Sequence, residues 1–523
     1  MNIPGFSDLC GQSLRRLKME VLVAVGAWAL SSVCGTLSHD SRMSNLLCPQ
    51  GLPYYDLSPL EPLLSATASV IYPNETTAFD LATARWSSYE TPTISVVVVP
   101  GTESDVAEIV KFATECNIPF LAVNGGHGAI STVGRMESGI AIWMHQLQTV
   151  EIAEDGKTAT LGGGALSTNV TQALWAARKQ TVTGACECTS ILGPGLGGGH
   201  GWLQGRHGLV SDQFVSMNIV LADGTLQTID STSDLWWAMQ GAGHNFGIVT
   251  SVTVKIYDIE YPTWAYKSYI FTGDKFSDVY NNVNEYISKN GTQPVDIANY
   301  AFLYNDPTTS NKPLLMFYIL QEGVTTVSSE YTAPFDVLGP TTTDAASGSY
   351  TEIPIWTAMS LDDIVCQDAG TAGLRFPIDL LVYNVTALQN AYDLFAAATQ
   401  ETPALNGSIF LFEGYSLQGV QSVPHESTAV SYRGDRLLVA PVLVFEPDGG
   451  ALDAKAISVG EDIRNAIREG TGRDEFHAYV NYAFGTETNQ EMYGYEQWRQ
   501  DKLSALKEKY DPNRRFNFYA PIA

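Results

Sequence analysis

Residues 182–201 read VTGACECTSILGPGLGGGHG and set Cys186 and Cys188 two positions apart, just ahead of Gly197, Gly198 and Gly199. A thiolate is both a nucleophile and a metal ligand, so the pair is open to three readings: a C-x-C metal clamp, a disulfide-exchange pair, or packed thiols. A metal needs at least two further ligands from elsewhere, and an exchange pair more often has C-x-x-C spacing. His127, His200, His207 and His244 all stand beside glycines, but their separations make no recognised metal motif. The glycine blocks at 125–126, 162–164, 193–199 and 241–247 are the stronger signal. Glycine gives up conformational entropy on folding, so such clusters mark positive φ or a close approach to the backbone. Here they let one large ligand lie against main-chain amides, which can meet a phosphate. No G-x-G-x-x-G opens a first βαβ unit and no G-x-x-x-x-G-K-S/T occurs, which argues against a dinucleotide Rossmann half and a P-loop.

The elements that must hold these loops follow from periodicity. TISVVVVP (93–100) reads as a buried strand ending at a proline. A helix follows, capped by Thr102, with Glu103 and Asp105 at its positive end and Val106, Ile109, Val110 and Ala113 on one stripe. PFLAVNGGHG (119–128) is a second strand running into a glycine turn, completing a β-α-β opening. GIAIWM, TATLGGGAL and the helical TNVTQALWAAR come next. FVSMNIVLADG (214–224) and TLQTID (225–230) form a hairpin with an Asp-Gly turn. DLWWAMQGAGHNFGIVTSVTVKI (234–256) carries a short helix, a glycine hinge and a strand. From about residue 263 the pattern shifts to YKSYIFTG, LLMFYIL and SIFLFEGYSL, strands of a largely antiparallel sheet with helices on one face. YVNYAF (479–484) reads as a further strand, and 495–510 as a helix stopped at Asp511-Pro512.

With 523 residues, 45% of them hydrophobic, the chain fits two or three domains. A formal charge of -27 disfavours nucleic acid and anionic membrane surfaces as partners. Seven cysteines are too sparse for a disulfide-stapled scaffold but leave room for one or two bridges. Arg15, Arg16 and Lys18 precede VLVAVGAWAL and then SSVCG, the layout of a signal peptide, and the apolar run is too short to span a bilayer. Residues 1–40 are therefore expected to be a leader, and the sequons at Asn74, Asn169, Asn290, Asn384 and Asn406 permit glycosylation of a secreted chain.

Taken in order, GGHG, G-x-C ahead of GGGHG, GLVSDQF, LADG, DLWWAMQGAGHNFGIVT and KEKYDPNRRF resemble the berberine-bridge-enzyme-like branch of the vanillyl-alcohol oxidase flavoproteins. The resemblance covers about residues 89–256 and again 476–516. It implies an α+β protein: a PCMH-type FAD-binding domain of two α/β subdomains (41–260), a substrate domain built on an antiparallel sheet flanked by helices (261–470), and a C-terminal segment (471–523) that completes the active site. It implies FAD bonded through its 8α-methyl to His127 and through C6 to Cys186, with loop slippage presenting Cys188 as the alternative. Gly125, Gly126, Gly128, Gly184, Gly197, Gly198, Gly199, His200, Gly247, Ile248 and Val249 complete the expected cofactor contacts; no metal is called for.

In the family the YxNY segment lies on the substrate side of the flavin, which carries over to Tyr482 as the base, with Tyr479 and Asn481 nearby. A phenol has a reference pKa near 10, so it needs a positive group, hydrogen bonds or coupled hydride loss to serve at neutral pH. Two departures stand out. Val123 replaces an arginine ahead of the GGH turn, and Thr189-Ser190 replaces a valine-glycine after the cysteine. The expected activity is oxidation of a phenolic, polyketide or alkaloid intermediate, with oxygen as acceptor and hydrogen peroxide as product. A carbohydrate oxidase forming a lactone and a flavin-holding non-redox cyclase or binding protein are the rival readings.

Overall fold

The computed structural model describes Cys48, residues 55–306, Thr308, residues 312–367 and residues 370–522, with Asn290 described by its backbone alone. The expected leader lies outside these residues. In a first lobe, β1 (Ser69–Ile71), β2 (Ile94–Val99), β3 (Phe120–Val123) and β4 (Gly139–Trp143) form one sheet in the order β1-β2-β4-β3. β2, β4 and β3 run parallel, so the β-α-β opening inserts β4 between its two strands. The crossover helix α1 (Glu103–Glu115) begins at Thr102, whose hydroxyl accepts from the Asp105 amide while the Asp105 carboxylate accepts from the Thr102 amide at 2.8 Å. Its Val106, Ile109, Val110 and Ala113 stripe is buried, as the spacing requires.

The second sheet of this lobe is antiparallel. It contains β5 (Val150–Ile152), β6 (Thr158–Gly162), β7 (Phe214–Val220), β8 (Leu226–Asp230) and β9 (Ile248–Lys255) in the order β5-β6-β9-β7-β8. Between β6 and β7 the helix α2 (Ser167–Ala176) leads into the cysteine loop.

The other lobe is one eight-stranded antiparallel sheet. Its strands are β10 (Trp264–Phe271), β11 (Ile297–Tyr304), β12 (Leu314–Glu322), β13 (Thr342–Gly348), β14 (Ala372–Arg375), β15 (Ile378–Leu380), β16 (Ile409–Gly414) and β17 (Leu437–Phe445). They lie in the order β13-β10-β12-β11-β16-β17-β14, with β15 also on β17. Apart from the exposed edge strand β13, both faces are buried, and alternation sorts them. Ala265, Tyr269, Phe317 and Phe412 pack beneath α3 (Val385–Glu401) and α4 (Ala451–Glu469), while Trp264, Tyr266, Tyr300 and Tyr318 join the core of the first lobe. Burying each such ring stabilises the fold by about 1.5–3 kcal/mol.

One expectation is corrected. YVNYAF is not a strand: Tyr482 N–H donates to Tyr479 O at 2.9 Å and Ala483 N–H to Val480 O, closing turns. The physical reason lies in the packing, since Val480 and Ala483 belong to one core and Ala478 and Phe484 to the other. A turn lets neighbouring residues reach both. Beyond it, α5 (Gln497–Tyr510) carries the chain back to the first lobe, where Lys507 Nζ donates to Asp511, to Asn245 O at 2.8 Å and to Phe516 O at 2.7 Å.

Candidate active site

The end of β3 turns through Asn124, Gly125, Gly126 and His127. Gly126 adopts φ +65°, and a Cβ there would stand 2.7 Å from Ala84 O, so no other residue fits without moving the backbone. Gly126 O accepts from the Trp86 amide, and the Trp86 ring lies 5.2 Å from the His127 imidazole. Burial, and after it the charge of Arg375, pushes His127 down to about 3. The imidazole is therefore neutral, the form whose ring nitrogen can bond to carbon. With valine at position 123, a guanidinium reaches this turn from another segment: Arg85 Nη2 donates to Gly128 O at 2.7 Å.

In the cysteine loop the two cysteines differ in state. Cys188 is bridged to Cys366, and a second disulfide joins Cys48 to Cys116. Cys186 is the free thiol among the described residues, and it faces the same cavity as His127. Burial pushes that thiol up to about 12, opposed by the charge of Arg375. Thr189, one of the two departures, holds the loop by donating its hydroxyl to Cys186 O at 2.9 Å.

The triple glycine has a different task from the one its position implied. Gly197, Gly198 and Gly199 do not line the cavity. A Cβ at Gly197 would fall 2.2 Å from Asn481 Oδ1, so this glycine admits the side chain of the tyrosine-rich turn. Asn481 Nδ2 donates to Pro194 O at 2.8 Å and to the Tyr479 hydroxyl at 2.7 Å, and His200 meets the Tyr479 ring edge-on at 4.7 Å. His207 is stacked on Tyr257 and stands outside the cavity, whereas His244, held by Gly193 O at 2.8 Å, lines it. Gly125, Gly126, Gly128, Gly184, His200, Gly247, Ile248 and Val249 all face the cavity with Tyr479, Asn481 and Tyr482.

Sequence reasoning missed three residues of the opposite wall, Arg375, Glu413 and Tyr415. The Tyr482 hydroxyl donates to Glu413 Oε1 at 2.8 Å, and the Tyr415 hydroxyl donates to Oε2 at 2.6 Å. Burial raises the Glu413 pKa, while those two hydrogen bonds and the Arg375 charge pull it back. Burial, then the negative charge of Glu413, holds the Tyr482 phenol well above its ordinary range, with Arg375 opposing. The Arg375 guanidinium stands 4.8 Å over the Tyr482 ring and 4.2 Å over Trp86. The available signal was a lone charge inside an apolar run: glutamate in SIFLFEGY and arginine in AGLRFPI.

These walls enclose a cavity of about 290 Å³. Asn124 Nδ2, His244 Nδ1, Asn481 Oδ1 and Arg375 Nε are buried on its lining without hydrogen-bond partners. A buried polar atom without a partner is costly, so the lining is built for a large polar guest, and the glycine turns beside it fit the phosphates and flat ring system of FAD.

Residues 94–230 match the FAD binding domain family model. The chain is 50% identical over 508 residues to the FAD-linked oxidoreductase chyH of Penicillium rubens, covering 97% of this chain and 100% of that one. It is 49% identical over 481 residues to the FAD-linked oxidoreductase chry5 of Gibberella zeae, covering 90% and 95%. Among solved structures, Physcomitrella patens BBE-like 1 superposes with a TM-score of 0.74 at 21% identity, covering 89% of this chain and 99% of that one. The xylooligosaccharide oxidase of Myceliophthora thermophila gives 0.73 at 19%, covering 88% and 98%. The glucooligosaccharide oxidase of Acremonium strictum, titled for its 6-S-cysteinyl, 8α-N1-histidyl FAD, gives 0.72 at 17%, covering 88% and 98%. The α+β architecture is thus that of a PCMH-type FAD-binding fold joined to a lobe built on an antiparallel sheet. The chain belongs to the FAD-linked oxidoreductases, and its fold is shared with the berberine-bridge-enzyme-like flavoproteins.

Proposed function

We propose that this FAD-dependent oxidoreductase oxidises a phenolic, polyketide or alkaloid metabolite whose acidic proton leaves through Tyr482 to Glu413, with oxygen as the final acceptor and hydrogen peroxide as product. The observation that carries the reading is the 2.8 Å hydrogen bond from Tyr482 to a buried carboxylate on the cavity wall. FAD bound in the cavity supplies a hydride acceptor at its N5. The protein supplies the proton path. As a substrate hydroxyl gives its proton to the Tyr482 oxygen, the Tyr482 proton passes to Glu413, so the phenol never has to exist as a free phenolate. Arg375 over the ring offsets the charge that develops during the transfer. We read neutral His127 and free Cys186 as covalent anchors of the flavin, and the disulfide at Cys188 removes the competing thiol. The aromatic wall of Tyr415, Tyr479 and Tyr482 supports a flat substrate.

Tyr482→Phe removes only the hydroxyl. It should keep its FAD and spectrum while slowing anaerobic flavin reduction by roughly 10²- to 10⁴-fold, with reoxidation by oxygen unchanged. Near wild-type reduction would remove Tyr482 from the path. The assay begins with phenols and aromatic alcohols set against glucose and oligosaccharides. Bleaching by sugars alone would make this a carbohydrate oxidase, and product formed without bleaching would make it a non-redox cyclase. Acid-denatured protein should stay yellow, with flavin on the His127 and Cys186 peptides.

We also infer a secreted protein. Two disulfides and exposed sequons at Asn74, Asn384 and Asn406 support an oxidising, glycosylating route.

A further inference from the structure

Arg375 ends the strand β14 and is 8% exposed. The other strongly buried cations among the described residues have partners: Arg433 grips Asp212 at 2.7 Å, Arg464 holds Glu461 at 2.6 Å, Arg499 reaches Glu496 at 3.2 Å, and Lys507 holds Asp511 at 2.7 Å. The Arg375 side chain makes neither an ion pair nor a hydrogen bond among the described residues, and its Nε is covered without an acceptor. Its contacts are the rings of Trp86 and Tyr482, which leave its N–H donors uncommitted. The nearby carboxylate, Glu413, has both oxygens engaged by Tyr415 and Tyr482. A buried charge with no ion-pair partner in contact is unfavourable unless something fills the space beside it, and here that space is the cavity.

We propose that Arg375 receives an anionic oxygen of the substrate: a carboxylate, a phenolate, or the oxyanion left when Tyr482 and Glu413 take the proton. This rests on reading the cavity as a substrate chamber. Arg375 stands on the eight-stranded sheet with Glu413, whereas the glycine turns that suit the cofactor all come from the other lobe. A planar guanidinium fork matches a carboxylate in two parallel bonds. It also repels an ammonium, so the site selects acidic or phenolic substrates over protonated alkaloids, and a neutral sugar offers it no charge.

The test is calorimetric titration of FAD-loaded wild type, Arg375→Met and Arg375→Lys with benzoate and salicylate, and with neutral benzamide. Loss of a charge-assisted pair should raise the Kd of the anions by about 10- to 100-fold in Arg375→Met. Arg375→Lys should fall between, and benzamide should change less than about threefold. Absence of anion binding to wild type, equal Kd values in wild type and Arg375→Met, or an equal loss for benzamide would each overturn the proposal. So would unchanged benzoate affinity with a lowered flavin midpoint potential, since that assigns Arg375 to the reduced cofactor. If Arg375→Met does not load FAD, Arg375→Lys carries the test, and an unchanged benzoate Kd in it overturns the proposal. Titration needs no turnover, so a protein that binds benzoate through Arg375 but is reduced by no substrate sinks the oxidase reading and leaves this one standing.

Discussion

Tyr482 donates its hydroxyl proton to Glu413 across 2.8 Å, and Tyr415 takes the second carboxylate oxygen at 2.6 Å. In the proposed proton path a phenol so placed is a conduit to a carboxylate whose pKa is raised by burial. Glu413 must be ionised to accept the proton, so flavin reduction should accelerate as pH rises through that raised pKa, above the ordinary carboxylate value of about 4.3. Glu413→Gln should be slow and should lack this acid limb in a stopped-flow pH profile; a limb that persists would assign it to another group. Stability runs the other way. A folded pKa above the unfolded one means the native state binds more protons, so this contribution is complete below about pH 4.3 and is lost as pH rises through the folded value. Thermal melts of Glu413→Gln should lose less stability over that interval than those of wild type.

At the scale of elements, the site exists because separate segments are tied to one another by few, specific contacts. The Cys188–Cys366 bridge joins the cysteine loop to the segment ahead of β14, and Asn481 joins the tyrosine-rich turn to Pro194 beside Gly197. Lys507 on α5 is a third such tie. Its side chain is 1% exposed, as buried as that of its partner Asp511. Lys507→Met keeps the volume but leaves Asp511 an unpaired buried charge, which should cost about 3–5 kcal/mol in denaturant unfolding. Because Phe516 and Tyr519, just beyond α5, line the cavity, FAD retention should fall with it. A loss under about 1 kcal/mol would show the pair to be dispensable.

At the scale of the whole molecule, the chain has a large negative charge, two disulfides among the described residues and exposed sequons at Asn74, Asn384 and Asn406. Expression through a eukaryotic secretory pathway should yield protein that starts near residue 40 and loses mass on endoglycosidase treatment. An intact Met1 on active, unglycosylated enzyme would overturn the route and leave the chemistry untouched.

The sequence by itself determined the parts whose signal is local. The β-branched run 94–99, the Thr102 cap, the hairpin after Phe214 and the glycine turn at Gly125-Gly126 each follow from side-chain shape or backbone freedom within a few residues, and all appear in the fold. That His127, Cys186 and Tyr482 would face one cavity was legible because a motif of ordered spacing carried them. Tertiary structure decided what spacing cannot encode. Which of Cys186 and Cys188 stays a thiol depends on Cys366, 178 residues downstream of Cys188. YVNYAF alternates like a strand, yet it turns because its apolar residues serve two cores. Glu413 and Arg375 look like isolated charges in apolar runs, and only the eight-stranded sheet brings them to the cavity that holds His127, where the roles proposed for them become available. Chemistry of that kind comes from burial and proximity between distant segments, and neither is a property of local sequence.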